Sequence, residues 1–170
     1  MTRSRIDAHR LTAVAMLTAM ALTSQYFESL LPTPVPGVPV RIGIANIFTL
    51  YALMNMKKSD ACIIAFLRCG AFALITGAVT GFFYALSGSM LSFLTMALLL
   101  PLYEKERISA MGLSAAGAFA FQAGQIAVGL IAVGRAILLY LPVMGLLSLP
   151  AGLITGFLAK LITGRLRHTV

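Results

Sequence analysis

The chain has 170 residues, 59% of them hydrophobic and only 11% charged, with a mean hydropathy of +0.94 and a net charge of +8. A soluble domain carries about a quarter of its residues as charged side chains, so this composition excludes an ordinary water-soluble fold and reads as repeated membrane spans of ~20 residues. The basic residues punctuate the apolar runs instead of sharing a soluble face with aromatics, which excludes nucleic acid as a partner.

Run length and helical periodicity predict an all-α membrane protein. The expected fold is a six-transmembrane-helix bundle in a single integral membrane domain over residues 1–170. The spans fall near 9–31, 40–56, 60–82, 87–102, 108–132 and 136–162. Span one follows Arg3, Arg5 and Arg10 and closes on Glu28. The connector from Pro32 to Pro39, with four prolines in eight residues, cannot continue a helix. Span two opens on Arg41-Ile-Gly-Ile-Ala-Asn46. Glu28, Arg41 and Asn46 thus sit at one membrane face, where polar side chains are expensive unless they meet a partner, a cavity or a ligand. This region is the expected seat of function.

In span three, Cys62 and Cys69 are seven residues apart on one helix face and read as reduced packing residues. Arg68 lies ten residues beyond Lys58, close to the bilayer midplane at ~1.5 Å per residue, so it should face the bundle interior. The stretch from Ala61 to Tyr103 is too long for one crossing, and Leu86-Ser-Gly-Ser89 is its expected break. Gln122 and Gln125 are three apart in span five and share a face. Tyr26, Tyr84, Ser87 and Arg135 are placed to rim an outer mouth. Ala15-x-x-x-Ala19, Gly77-x-x-x-Gly81 and Gly152-x-x-x-Gly156 each put two small residues on one face, which permits close helix packing. The alanine pair lies in the half of span one nearest the cytoplasm and suits docking of another membrane protein.

Six spans put ten of the thirteen basic residues on one side, and the positive-inside rule makes that side cytoplasmic, with both termini there. A cleaved signal peptide ending at Ala19-Met20-Ala21 is the rival reading. It would leave five spans and break the charge pattern.

Several chemistries are excluded. There is no G-x-x-x-x-G-K-[ST] phosphate loop. Asp7 and Asp60 are the only aspartates and stand far apart, so no aspartate-rich magnesium site for diphosphates forms. His9 and His168 lie at opposite ends, and no metal-ligand cluster exists. No catalytic residue, metal or cofactor is expected, and the chain is not read as an enzyme. The embedded polar groups then admit two readings. They form a ligand pocket, or they satisfy one another through a Glu28–Arg41 ion pair and an Arg68 held by carbonyls and glutamines.

The same residues carry a family resemblance. Glu28-Ser-Leu-Leu-Pro32, Arg41-Ile-Gly-Ile-Ala-Asn-Ile47, Leu67-Arg68, Leu86-Ser-Gly88 with Ser92, and Gly124-Gln125 resemble the Gx transporter family, also labelled heptaprenyl diphosphate synthase component I. The resemblance runs from about Thr12 to Leu161. Phe121 and Gln122 depart from the expected histidine and asparagine, and Ile44 from the usual leucine. The resemblance implies similarity to the substrate-binding components of energy-coupling factor vitamin transporters, six-helix membrane proteins whose first helix bears an Ala-x-x-x-Ala face for the energising subunit. Ala15 and Ala19 match that face.

The function expected from these readings is capture of a small molecule, anionic or vitamin-like or isoprenoid-precursor-like, from outside the bacterial cytoplasmic membrane. The expected substrate-binding residues are Glu28, Arg41, Asn46, Arg68, Gln122 and Gln125, with Ala15 and Ala19 for partner docking. Transport would need an energising transmembrane subunit and ATPase subunits. The alternative is a non-catalytic membrane accessory subunit of a polyprenyl diphosphate synthase or quinone pathway, and a purely structural bundle is the third reading.

Overall fold

The computed structural model describes residues 2–31, 41 and 43–167, so the proline-rich connector and His168 lie outside the described residues. The helices are α1 (Thr2–Ser29), α2 (Asn46–Asn55), α3 (Lys58–Thr76), α4 (Val79–Glu104), α5 (Ala110–Ala132) and α6 (Leu141–Arg167), with a 3-10 helix at Gly134–Tyr140 leading into α6. No strand occurs among the described residues.

α3, α4 and α5 are each long and apolar enough to cross a bilayer; Gly134–Leu146 and Ser148–Thr163, bent by 41° to one another, make a fourth if taken as one span. The chain is therefore a multi-pass membrane protein. Its surface agrees: Leu74 and Ile131 are 88% and 89% exposed, and Leu98, Leu139 and Leu146 stand out almost as far. Water would penalise such a surface, whereas hydrocarbon does not.

α2 corrects the expected second span. It has ten residues, or ~15 Å of helix, too short to cross alone. Residues 41, 43, 44 and 45 are not helical. α2 is instead the central element, packed against every other α-helix, with Asn46, Ile47, Thr49, Leu50, Ala52 and Leu53 buried. Leu50 and Leu53 join Ile64, Met96 and Leu113 in the main apolar core.

The expected break at Leu86–Ser89 is also corrected, because α4 runs through it without interruption. The chain turns at Gly77 instead, whose φ of +66° caps α3 in the left-handed region that suits glycine. Gly77 and Gly81 therefore lie on different elements and share no helix face. Gly88 serves packing: a Cβ there would come within 2.9 Å of Phe121, and one on Gly124 within 2.6 Å of the Ser87 carbonyl oxygen. The Gly152–Gly156 pair lets α6 approach the α5 backbone at Ala115 and Met111 in the same way.

Three contacts fix which helix ends lie together. Arg10 near the start of α1 is ion-paired to Asp60 in the first turn of α3. Lys58 Nζ donates to the Ala97 carbonyl of α4 at 3.4 Å, and Asn55 of α2 donates to Thr163 of α6 at 3.1 Å. Lys57 lies between α2 and α3, so Arg10, Lys57 and Lys58 gather at one end of the bundle.

Candidate ligand site

The site is built around the non-helical start of α2. Asn46 stands ~14 Å along the helix from Asn55 and the basic end, so residues 41 and 43–45 lie at membrane depth. Irregular backbone there is tolerated only when protein buries and satisfies it. Gly43 adopts φ +93°, and a Cβ on it would lie 2.9 Å from the Phe121 ring. The first amides of α2 are met by a tight turn: Asn46 N–H donates to Gly43 O at 3.0 Å and Ile47 N–H to Ile44 O at 3.1 Å.

Side chains from α5 and α1 hold the main chain at Arg41 and Gly43. The Arg41 N–H donates to Gln125 Oε1 at 2.8 Å, while the Arg41 carbonyl accepts from Gln125 Nε2 at 2.9 Å and from Gln122 Nε2 at 3.2 Å. The Gly43 N–H donates to the Glu28 carboxylate. Because Arg41 is held through its main chain, its guanidinium is left to lie 4.1 Å over the Phe72 ring, a cation–π contact.

Beneath this, Arg68 is 2% exposed and fills the centre of the bundle. Its Nη1 donates to Gln25 Oε1 at 3.1 Å, and its Nη2 to Asn46 Oδ1 and to Ser89 Oγ, each at 2.7 Å. Asn46 Nδ2 reaches Ser92 Oγ at 3.4 Å. Arg68 is thus held by side chains, a glutamine among them, rather than by main-chain carbonyls. Three donors of the cluster, Arg41 Nη1, Arg68 Nε and Gln25 Nε2, are buried with no acceptor among the described residues, as is one acceptor, Gln122 Oε1.

Glu28, Arg41, Asn46, Arg68, Gln122 and Gln125 are all buried and converge here from α1, α2, α3 and α5. Sequence reasoning missed Gln25, Phe72 and Ser89, although helical spacing points to each. Gln25 precedes Glu28 by three residues, Phe72 follows Arg68 by four, and Ser89 precedes Ser92 by three. Two expected rim residues are corrected. Tyr84 is buried with Ile126, Ile137 and Met144, and Ser87 Oγ is tied to the Gly124 carbonyl at 3.0 Å. Both are drawn inward by the close α4–α5 approach. Tyr26 and Arg135 are exposed. Ala15 and Ala19 are exposed on α1. Cys62 and Cys69 are free thiols, and no group of three or more His, Cys, Asp or Glu side chains suited to a metal occurs among the described residues.

A multi-pass helical membrane protein with a buried, arginine-centred polar cluster is the class these features define. The family model for heptaprenyl diphosphate synthase component I matches residues 17–162, and the chain belongs to that family. Comparison with curated proteins and with solved structures finds no match in either.

Proposed function

We propose that this chain is the substrate-binding subunit of an energy-coupling factor type importer in the bacterial cytoplasmic membrane. It takes a small molecule bearing an anionic group from outside into the cluster around Arg41 and Arg68. The observation that carries the reading is the surplus of buried donors, with Arg41 Nη1, Arg68 Nε and Gln25 Nε2 lacking acceptors among the described residues. A buried donor without an acceptor costs roughly 1–3 kcal/mol, so an anionic ligand accepting from two of them recovers energy that the ligand-free protein lacks. Such a bundle without an ATP-binding loop needs partners for uptake: an energising transmembrane subunit, received by the Ala15–Ala19 face, and ATPase subunits.

The family's description, heptaprenyl diphosphate synthase component I, suggests a second reading, a non-catalytic accessory subunit of a polyprenyl diphosphate synthase. Copurification from native membranes separates the two: ATPase subunits support import, and a soluble prenyl synthase supports the accessory role. Arg41→Met tests the site itself. Methionine keeps length and a contact with Phe72, and the main-chain bonds to Gln125 are untouched. The variant should stay folded and monodisperse while ligand retention in native mass spectrometry falls by one to two decades, the worth of roughly 1.5–3 kcal/mol for a charged hydrogen bond. Unchanged retention would remove Arg41 from the site.

A further inference from the structure

At the basic end of the bundle, away from the polar cluster, an open cavity of about 740 Å3 lies between α1 and the α2–α3 junction. Its wall is apolar, built from Met16 and Met20 of α1 and Tyr51 of α2, and its mouth carries Arg10 and Lys57. The carboxylate at the mouth, Asp60, accepts from Arg10 Nε at 3.1 and 2.9 Å, so its charge is already matched. The Lys57 side chain is exposed, and its ammonium makes no hydrogen bond or ion pair among the described residues. The mouth therefore carries net positive charge above a hydrocarbon-like wall.

We propose that this cavity holds an anionic phospholipid of the leaflet at the basic end. One acyl chain lies along Met16, Met20 and Tyr51, and the phosphate meets Lys57. The chemistry selects this occupant over its competitors. A soluble anion gains nothing from the apolar wall, and a zwitterionic lipid brings its own cation towards Lys57. Basic pockets between membrane helices bind acidic headgroups by this combination of charge and depth. A docked partner helix is served by a different surface. At 100° per residue the Ala15–Ala19 face lies ~100° around α1 from Met16 and Met20, so lipid and partner take different faces of the helix. The inference is independent of whether the chain imports a substrate.

The test uses the full chain in neutral detergent, titrated with phosphatidylglycerol or phosphatidylcholine of the same acyl chains, with retained lipid counted by native mass spectrometry. Phosphatidylglycerol should be retained at least tenfold better. Lys57→Glu changes the local charge by two, which at roughly 1 kcal/mol per charge near the surface lowers retention roughly 30-fold. Lys57→Gln should lower it roughly 5-fold, and serves if the reversal variant fails to fold. Lys105→Glu, between α4 and α5 and outside the cavity, should leave retention within about twofold because the charge is screened beyond roughly 10 Å. Equal retention of the two lipids overturns the proposal, as does an equal loss on Lys105→Glu. Displacement by inorganic phosphate, or a lipid-free dimer sealing the cavity, overturns it too.

Discussion

Asn46 joins the two halves of the polar cluster. Its carbonyl oxygen accepts from Arg68 at 2.7 Å, its amide nitrogen reaches Ser92, and its own N–H closes the turn on Gly43. Removing a partner from a buried charge costs more than removing one from a neutral group, because the charge stays behind without solvent. Asn46→Leu takes one of three acceptors from Arg68 and leaves Gln25 and Ser89 in place. It should destabilise the protein by roughly 1–3 kcal/mol, read as a lower melting temperature in detergent. Asn46→Asp keeps the acceptor, supplies a countercharge, and should melt above the leucine variant. Equal melting of the two would show that the Asn46–Arg68 bond carries no weight in the fold. At this scale the sequence disclosed much of the site. Embedded arginine, asparagine and glutamines stand out against an apolar background, and their convergence follows from where they lie along their helices. Their pairing was not legible. Whether Arg68 meets Gln25 or a carbonyl depends on the rotation of α1 against α3, and no local pattern encodes it. The main-chain grip of Gln125 on Arg41 was hidden for the same reason, since glutamine in a span reads as a ligand group until the backbone it serves is placed.

At the scale of elements, glycine explains where the reading of the chain succeeds and fails. Gly77 and Gly88 are the same residue in similarly apolar surroundings, yet one ends a helix at positive φ and the other lets Phe121 and α5 approach α4. Local composition favoured the serine-rich 86–89 stretch as the break, but those serines point their hydroxyls at α3 and at a carbonyl of α5. The length of α2 was misjudged because an apolar run looks alike whether helical or not. What shortens the helix is Gly43, together with glutamines eighty residues away. α1 was read more fully. Its buried residues Val14, Ala21, Gln25 and Glu28 face the bundle, while Ala15 and Ala19 face outward. A small, exposed pair on a membrane helix lets a partner's backbone approach closely. On the proposed import role, Ala15→Trp with Ala19→Trp should therefore block assembly with an energising subunit, seen as loss of copurification and of uptake. Ligand retention by the isolated chain should be unchanged, because neither alanine touches the polar cluster. Equal loss of ligand retention would show that the pair supports the bundle instead.

The whole molecule is polarised along its axis. Arg10, Lys57 and Lys58 are gathered at one end by the Arg10–Asp60 pair and the Lys58–Ala97 contact. Arg135 stands in the 3-10 helix that follows α5, the helix whose other end follows Arg107. α5 has 23 residues, or ~35 Å, enough to separate its two ends by the full hydrocarbon thickness. Basic residues near span ends set orientation, and on that ground we propose that the crowded end is cytoplasmic and Arg135 outside. The proposals depend on this assignment. Capture from outside requires the polar cluster to lie nearer the Arg135 end, and the lipid cavity must open to the inner leaflet, where acidic headgroups meet Lys57. Single-cysteine probes test the assignment directly. With Cys62 and Cys69 replaced by serine, the exposed sites Ser59 and Arg135 mark the two ends. In intact cells a membrane-impermeant maleimide should label Arg135→Cys and spare Ser59→Cys, which should react only after lysis. The reverse pattern would invert the protein in the membrane. Labelling of both from outside would mean that α5 does not separate its ends across the bilayer.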